Sequence, residues 1–222
     1  MPGRLDHRDR VAASLTVAAA VGLLAVLAVR VRELRGPLRV DAVTLQYLGQ
    51  PAATRHLAPY HLDRLDGPLA LRVLVWFGSP WAIILTVSAL VLISLLWRDW
   101  RVAVLAAAGP LAAGVVTEVW LKPLVNRTGP GGHNYFPSGH VTAVSSFTIV
   151  ALVLLDRHLG RRAALMALPV LALWVGLVAL ALVQIHAHYL TDVIGGACVG
   201  VATVLTLVLA GDRIGPRAHA AP

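Results

Sequence analysis

A single cysteine, Cys198, stands among 222 residues, so no disulfide framework can form within the chain. Charge is also scarce: Asp, Glu, Lys and Arg make up 14% of the residues, against roughly 25% in an average soluble domain. Acidic residues number 11, and no carboxylate cluster is available to bind magnesium. Internal repeats, low-complexity tracts and a separate soluble domain are absent as well. Apolar residues fill the space instead, at 58%, more than a soluble fold of this length could hide. A polytopic membrane protein follows. The formal net charge of +8 does not argue for nucleic acid, because the arginines are not gathered into one basic domain. They mark the edges of apolar segments, as the positive-inside rule describes.

Six apolar runs are present, at about 11–29, 73–97, 102–121, 141–155, 163–183 and 193–210. Most approach the roughly 20 residues needed to cross a bilayer core, and a start near Ser138 brings the fourth to length. The first run exceeds the roughly 7–15 residues of a signal-peptide core and reads as a membrane helix. The predicted fold is all-α, an integral membrane bundle of six transmembrane helices in a single domain over 1–222, with its core at 70–210. Residues 31–69 read as an outer loop packed over the helices, with Leu38, Val40, Val43, Leu45 and Leu48 too scattered to span. Gly78-Ser79-Pro80 should start or kink the second span. Trp76, Trp81, Trp97, Trp100 and Trp120 suit interfacial belts, and Cys198 suits helix packing.

Six spans put both termini on one side. The N-terminal segment, Arg98-Asp99-Trp100-Arg101, the run from Asp156 to Arg162 and the tail with Arg213 and Arg217 then share a face. That face is expected to be cytoplasmic in a multi-pass cell-membrane protein. The connections at about 122–137 and 184–191 fall together on the extracytoplasmic side.

Those two connections hold the unusual chemistry. In Pro137-Ser138-Gly139-His140, a proline and a serine precede an apolar helical run, so Ser138 reads as an N-cap. Free N–H groups and the positive dipole end there suit an anion such as phosphate, with His140 in the first turn to exchange a proton. The same residues would equally serve a plain capped helix with a surface histidine. His188 and Asp192, four apart, share a helix face. The carboxylate can orient one imidazole nitrogen and leave the other lone pair outward, as in a catalytic dyad. A structural ion pair would look the same. Lys122 ends the third span with Glu118 one turn before it, a pairing that also fits dipole chemistry and membrane anchoring. Arg127 offers a two-donor grip on phosphate.

Together these residues resemble the type-2 phosphatidic acid phosphatase family, integral-membrane lipid phosphate phosphatases related to vanadium haloperoxidases. The family pattern is Lys-x6-Arg-Pro, then Pro-Ser-Gly-His, then Ser-Arg-x5-His-x3-Asp on a six-helix bundle. Pro137 to His140 match the second motif in full, His188 and Asp192 match the end of the third, and Lys122 opens the first. Two positions depart: Gly129 stands where the first arginine belongs, and Ala181-Leu182 replace Ser-Arg. Arg127, two residues early, is the expected substitute, with His133, Gln184 and His186 as further candidates. Losing one preorganised donor costs roughly 2.7–4 kcal/mol of transition-state stabilisation, so compensation matters.

The resemblance implies a metal-independent phosphatase without a cofactor, acting on a lipid phosphate or diphosphate such as an isoprenoid diphosphate or a phosphatidate. His188 would attack phosphorus to form a phosphohistidine, Asp192 would fix its tautomer, and His140 would serve as acid and then base. Lys122, Arg127, Ser138 and Gly139 would hold the phosphoryl oxygens. Two other readings compete. One is a catalytically inactive relative that binds lipid head groups; the other is a metal or haem site built on His133, His140, His186 and His188. Oligomeric state and the lipid itself are not legible.

Overall fold

A computed structural model describes residues 6–34, 36–48, 68–128 and 133–214. Gly129 and Pro130, His56 and His61, and the tail with Arg217 and His219 lie outside the described residues. Among those described, every regular element is a helix apart from an isolated bridge between Thr128 and Asn134. The helices are α1 (His7–Leu34), α2 (Arg39–Tyr47), α3 (Leu69–Trp76), α4 (Pro80–Leu96), α5 (Trp100–Val115), α6 (Lys122–Val125), α7 (Gly139–Leu159), α8 (Arg161–Gln184) and α9 (Leu190–Ile214). A π-helical turn, Val116–Leu121, joins α5 to α6.

Five stretches are long and apolar enough to cross a membrane: α1, the continuous run Trp100–Val125, α7, α8 and α9. The sixth is α3 and α4 taken together, bent by 58°. The protein is thus an all-helical, multi-pass membrane bundle of five to six spans. The bend falls at Gly78-Ser79-Pro80, where the second span was expected to start or kink. Pro80 cannot donate a helical N–H, and the Ser79 hydroxyl accepts from the Ala82 N–H at 3.4 Å, so the chain ends one helix and caps another within three residues.

Within 31–69, where a loop was expected, the described residues include helix. The first helix runs on to Leu34, and a second begins at Arg39, where the Asp41 carboxylate accepts from the Leu38 N–H at 2.9 Å. On that short helix, α2, Asp41 and Leu45 are buried.

At the centre lies α7, packed against α5, α8 and α9. Its contact with α9 is close because two glycines sit there. A Cβ on Gly196 would stand 2.4 Å from the Ser138 carbonyl oxygen, and one on Gly200 would stand 2.6 Å from that of Thr142. Small residues four apart are what allow two membrane helices to touch backbone to backbone. By contrast α1 is peripheral. Ala13, Val17, Ala20, Leu24, Leu27 and Val31, with Ala28 beside them, form its one half-buried to buried stripe, spaced at three and four residues, and its remaining apolar side chains are exposed. In lipid such exposure costs nothing.

The arginine-bearing segments meet at one end of the bundle. Arg10 pairs with Asp212 at 3.0 Å, Arg161 with Asp9, and Arg157 with Asp99 at 2.8 Å. Burial works against the Asp99 charge, but hydrogen bonds from Arg157 and the Val102 N–H outweigh it and hold the carboxyl below its usual range.

Gly196→Ala should lower the thermal unfolding temperature in detergent, by the equivalent of about 1–3 kcal/mol of overpacking. Gly176→Ala, where an added Cβ meets nothing within 4 Å, should cause no loss.

Candidate active site

The site is assembled at the opposite end, where the start of α7 abuts the start of α9. Ser138 caps α7 in extended conformation, and its hydroxyl accepts from the Val141 N–H at 3.5 Å. Its own N–H donates to the Asp192 carbonyl at 2.9 Å, which ties the Pro137–His140 turn to the helix bearing Asp192. His140 then falls in the first turn of α7. Its imidazole packs against the break between α3 and α4, where a Cβ on Gly78 would stand 2.3 Å from the ring. His140 is also within Coulombic reach of His188 and Lys122.

His188 precedes α9 and is 9% exposed. Its Nδ1 lies 3.6 Å from Asp192 Oδ2, near enough to be drawn in but too long for a hydrogen bond. Catalytic hydrogen bonds are often this long before substrate tightens them. The Tyr135 ring meets the imidazole edge to face, with centroids 5.8 Å apart. Burial and the Asp192 charge push the Tyr135 phenol up, so it stays protonated.

Lys122 is positioned by the π turn, a feature that often marks functional sites. Its ammonium pairs with Glu118 at 2.7 Å. That carboxylate reaches over Gly139, at the N-terminal turn of α7, within 2.7 Å of where a Cβ would be. The cation and the helix start therefore share one anionic neighbour, Glu118.

Arg127 is the principal correction. It was expected to grip phosphate; instead it is 2% exposed and enclosed between two carboxylates. Asn126, in left-handed conformation, ends α6 and turns the chain inward. One guanidinium nitrogen then donates to Asp192 Oδ1 at 2.6 Å and to the Thr191 hydroxyl at 2.9 Å. The other donates to Asp41 Oδ2 and to the Gly36 carbonyl, each at 3.0 Å. The Tyr189 ring covers the group, 4.2 Å from guanidinium carbon to centroid. Arg127 thus stands behind Asp192 rather than beside the histidines.

Of the other candidate substitutes, His133 and Gln184 are exposed. His186 is half-buried, and burial holds its imidazole below the usual range. Ala181 and Leu182, where the family pattern has Ser-Arg, are buried in the apolar core, so no cation stands there. Among the described residues no group of three His, Cys, Asp or Glu could hold a metal ion. The residue that sequence reasoning missed is Asp41, which binds Arg127 and also accepts from the Thr191 N–H at 2.9 Å. Its signal was the apolar stripe Leu38, Leu45 and Leu48 with an acid at the one remaining helical position.

A helical membrane bundle with a His–Asp pair set against a capped helix start defines the class. The PAP2 superfamily model matches residues 82–215, and the chain belongs to that family. A comparison with curated proteins finds no match. Among solved structures, the first transmembrane PAP2 type phosphatidylglycerolphosphate phosphatase from Bacillus subtilis is similar, with a TM-score of 0.60. The match covers 92% of this chain and 99% of that one at 16% identity, a likeness of fold.

Arg127→Ala leaves Asp41 and Asp192 both buried without their shared counter-charge. It should destabilise the protein by about 3–5 kcal/mol, read as a fall in unfolding temperature in detergent. Arg127→Lys keeps the charge but cannot span both carboxylates, and should fall between.

Proposed function

We propose that the protein is a lipid phosphate or diphosphate phosphatase that works through a phosphohistidine on His188. The observation that carries this reading is the convergence of His188, Asp192, His140 and the capped start of α7, drawn from two connections some 48 residues apart. With its Nδ1–H toward Asp192 Oδ2, His188 presents the Nε2 lone pair to phosphorus. Nε2 forms the P–N bond as the ester or anhydride P–O bond breaks, and His140 gives its proton to the departing oxygen. Water then attacks the phosphohistidine, His140 takes the water's proton, and inorganic phosphate leaves. Lys122, Ser138 and the Gly139 N–H supply donors to the phosphoryl oxygens, with Lys122 exchanging Glu118 for substrate. No metal is required in this scheme.

Substrate class follows from position. The site sits at one end of apolar helices, so a head group would meet the polar turns while its chain stays among the spans. Isoprenoid diphosphates and phosphatidate-type lipids both fit. The arginine-bearing end is read as cytoplasmic, which puts the site on the extracytoplasmic face.

One observation favours a second reading, a non-hydrolysing binder of lipid head groups. Arg127 is engaged by Asp41 and Asp192, so fewer donors remain to stabilise a transition state.

Phosphate release from phosphatidate and from an isoprenoid diphosphate in mixed micelles separates the two. The wild type should turn over, and His188→Ala should lose at least about 1,000-fold. Acid-labile, base-stable label should appear on His188 when radiolabelled substrate is quenched. If wild type and His188→Ala release equal phosphate, the protein is a binder. Gly78→Ala, which pushes the His140 ring aside, should lower kcat by about 100-fold at most.

A further inference from the structure

Asp41 lies on α2, far in sequence from the histidines, yet it is 1% exposed and its carboxylate is saturated. Oδ1 accepts from the Thr191 N–H at 2.9 Å. Oδ2 accepts from the Thr191 hydroxyl at 2.9 Å, from Arg127 at 3.0 Å and from the Leu38 N–H at 2.9 Å. Through Arg127 the contacts continue to Asp192 Oδ1 at 2.6 Å, and Asp192 Oδ2 faces His188.

We propose that Asp41 is a positioning residue for the His188–Asp192 pair, acting through Arg127 and Thr191. The proposal rests on His188 being the nucleophile. A guanidinium facing one carboxylate tends to take both its oxygens in a bidentate fork. Here Asp41 occupies one side of the Arg127 fork, so Arg127 gives Asp192 a single nitrogen and only Oδ1 is held. The other oxygen, Oδ2, is left for the Tyr189 N–H at 2.9 Å and for His188. Two carboxylates about one guanidinium also leave one negative charge over, available to an imidazolium as it forms. One carboxylate would neutralise the guanidinium; the second adds its own desolvation cost and leaves a net negative charge behind His188.

Other groups also face the pair, and of these Tyr189 is within reach of Asp41. Tyr135 meets the His188 ring, His140 on α7 is within Coulombic reach of His188 and Lys122, and Tyr189 covers Arg127.

The test is Asp41→Asn, which removes the charge and keeps size and an acceptor, with Asp41→Glu as the conservative partner. With Arg127 free to close on both Asp192 oxygens, kcat per folded molecule should fall about 10- to 100-fold while KM stays within about twofold. Asp41→Glu should recover part of the loss. A second arm needs no turnover: carbethoxylation of His188 by diethyl pyrocarbonate, read by mass spectrometry against exposed His133, should slow several-fold in Asp41→Asn. Should Asp41→Asn not fold, Thr191→Val removes the shared hydroxyl at nearly constant volume and should move both readouts the same way. Unchanged kcat and unchanged His188 labelling in folded variants overturn the proposal. If wild type and His188→Ala release equal phosphate, the phosphatase reading is what fails, and the labelling arm alone decides the role of Asp41.

Discussion

A guanidinium held between two carboxylates, all three almost wholly removed from solvent, is the interaction on which this end of the bundle depends. Each charge is costly to bury alone, and each becomes tolerable only when the other two are in place. Arg127 must turn inward, α2 must fold over the helix ends, and α9 must begin where Asp192 can meet both. Because the Ser138 N–H is bonded to the Asp192 carbonyl, the start of α7 is fixed by the same arrangement. His140 and His188 thus inherit their relative placement from a charge cluster that neither belongs to.

The histidine–aspartate pair is correspondingly uneven. Asp192 is rigid, its oxygens engaged by Arg127 and the Tyr189 N–H, while the His188 Nδ1 has no hydrogen-bond partner at 3.6 Å. Preorganisation resides in the carboxylate, and the imidazole keeps a small freedom to approach it. Lys122 is held differently, by the half-exposed Glu118, so this cation is less enclosed than Asp192.

Much of this was legible from residue patterns. The apolar runs gave the spans, the Pro–Ser pair gave the start of α7, and the four-residue spacing put His188 and Asp192 on one side of a turn. What failed to show were features decided by distant contacts. Asp41 lies 86 residues from Arg127 and 150 from Thr191, and no local rule assigns such a partner. Arg127 was misplaced because distance along the chain from Lys122 was taken as distance in space. The left-handed turn at Asn126 separates the two side chains. The break at Gly78 was visible as a possible kink, but its use, making room for the His140 ring, depends on a tertiary contact.

The stripe on α1 carries a consequence for how that helix evolves. Its identity is encoded in about one residue in three or four, and the rest answers only to the oily phase around it. Substitutions among alkyl side chains off the stripe should drift freely, so two descendants of one ancestor could share little of this helix letter by letter while docking it identically. Sequence divergence in the first span would then be a poor clock for divergence in chemistry.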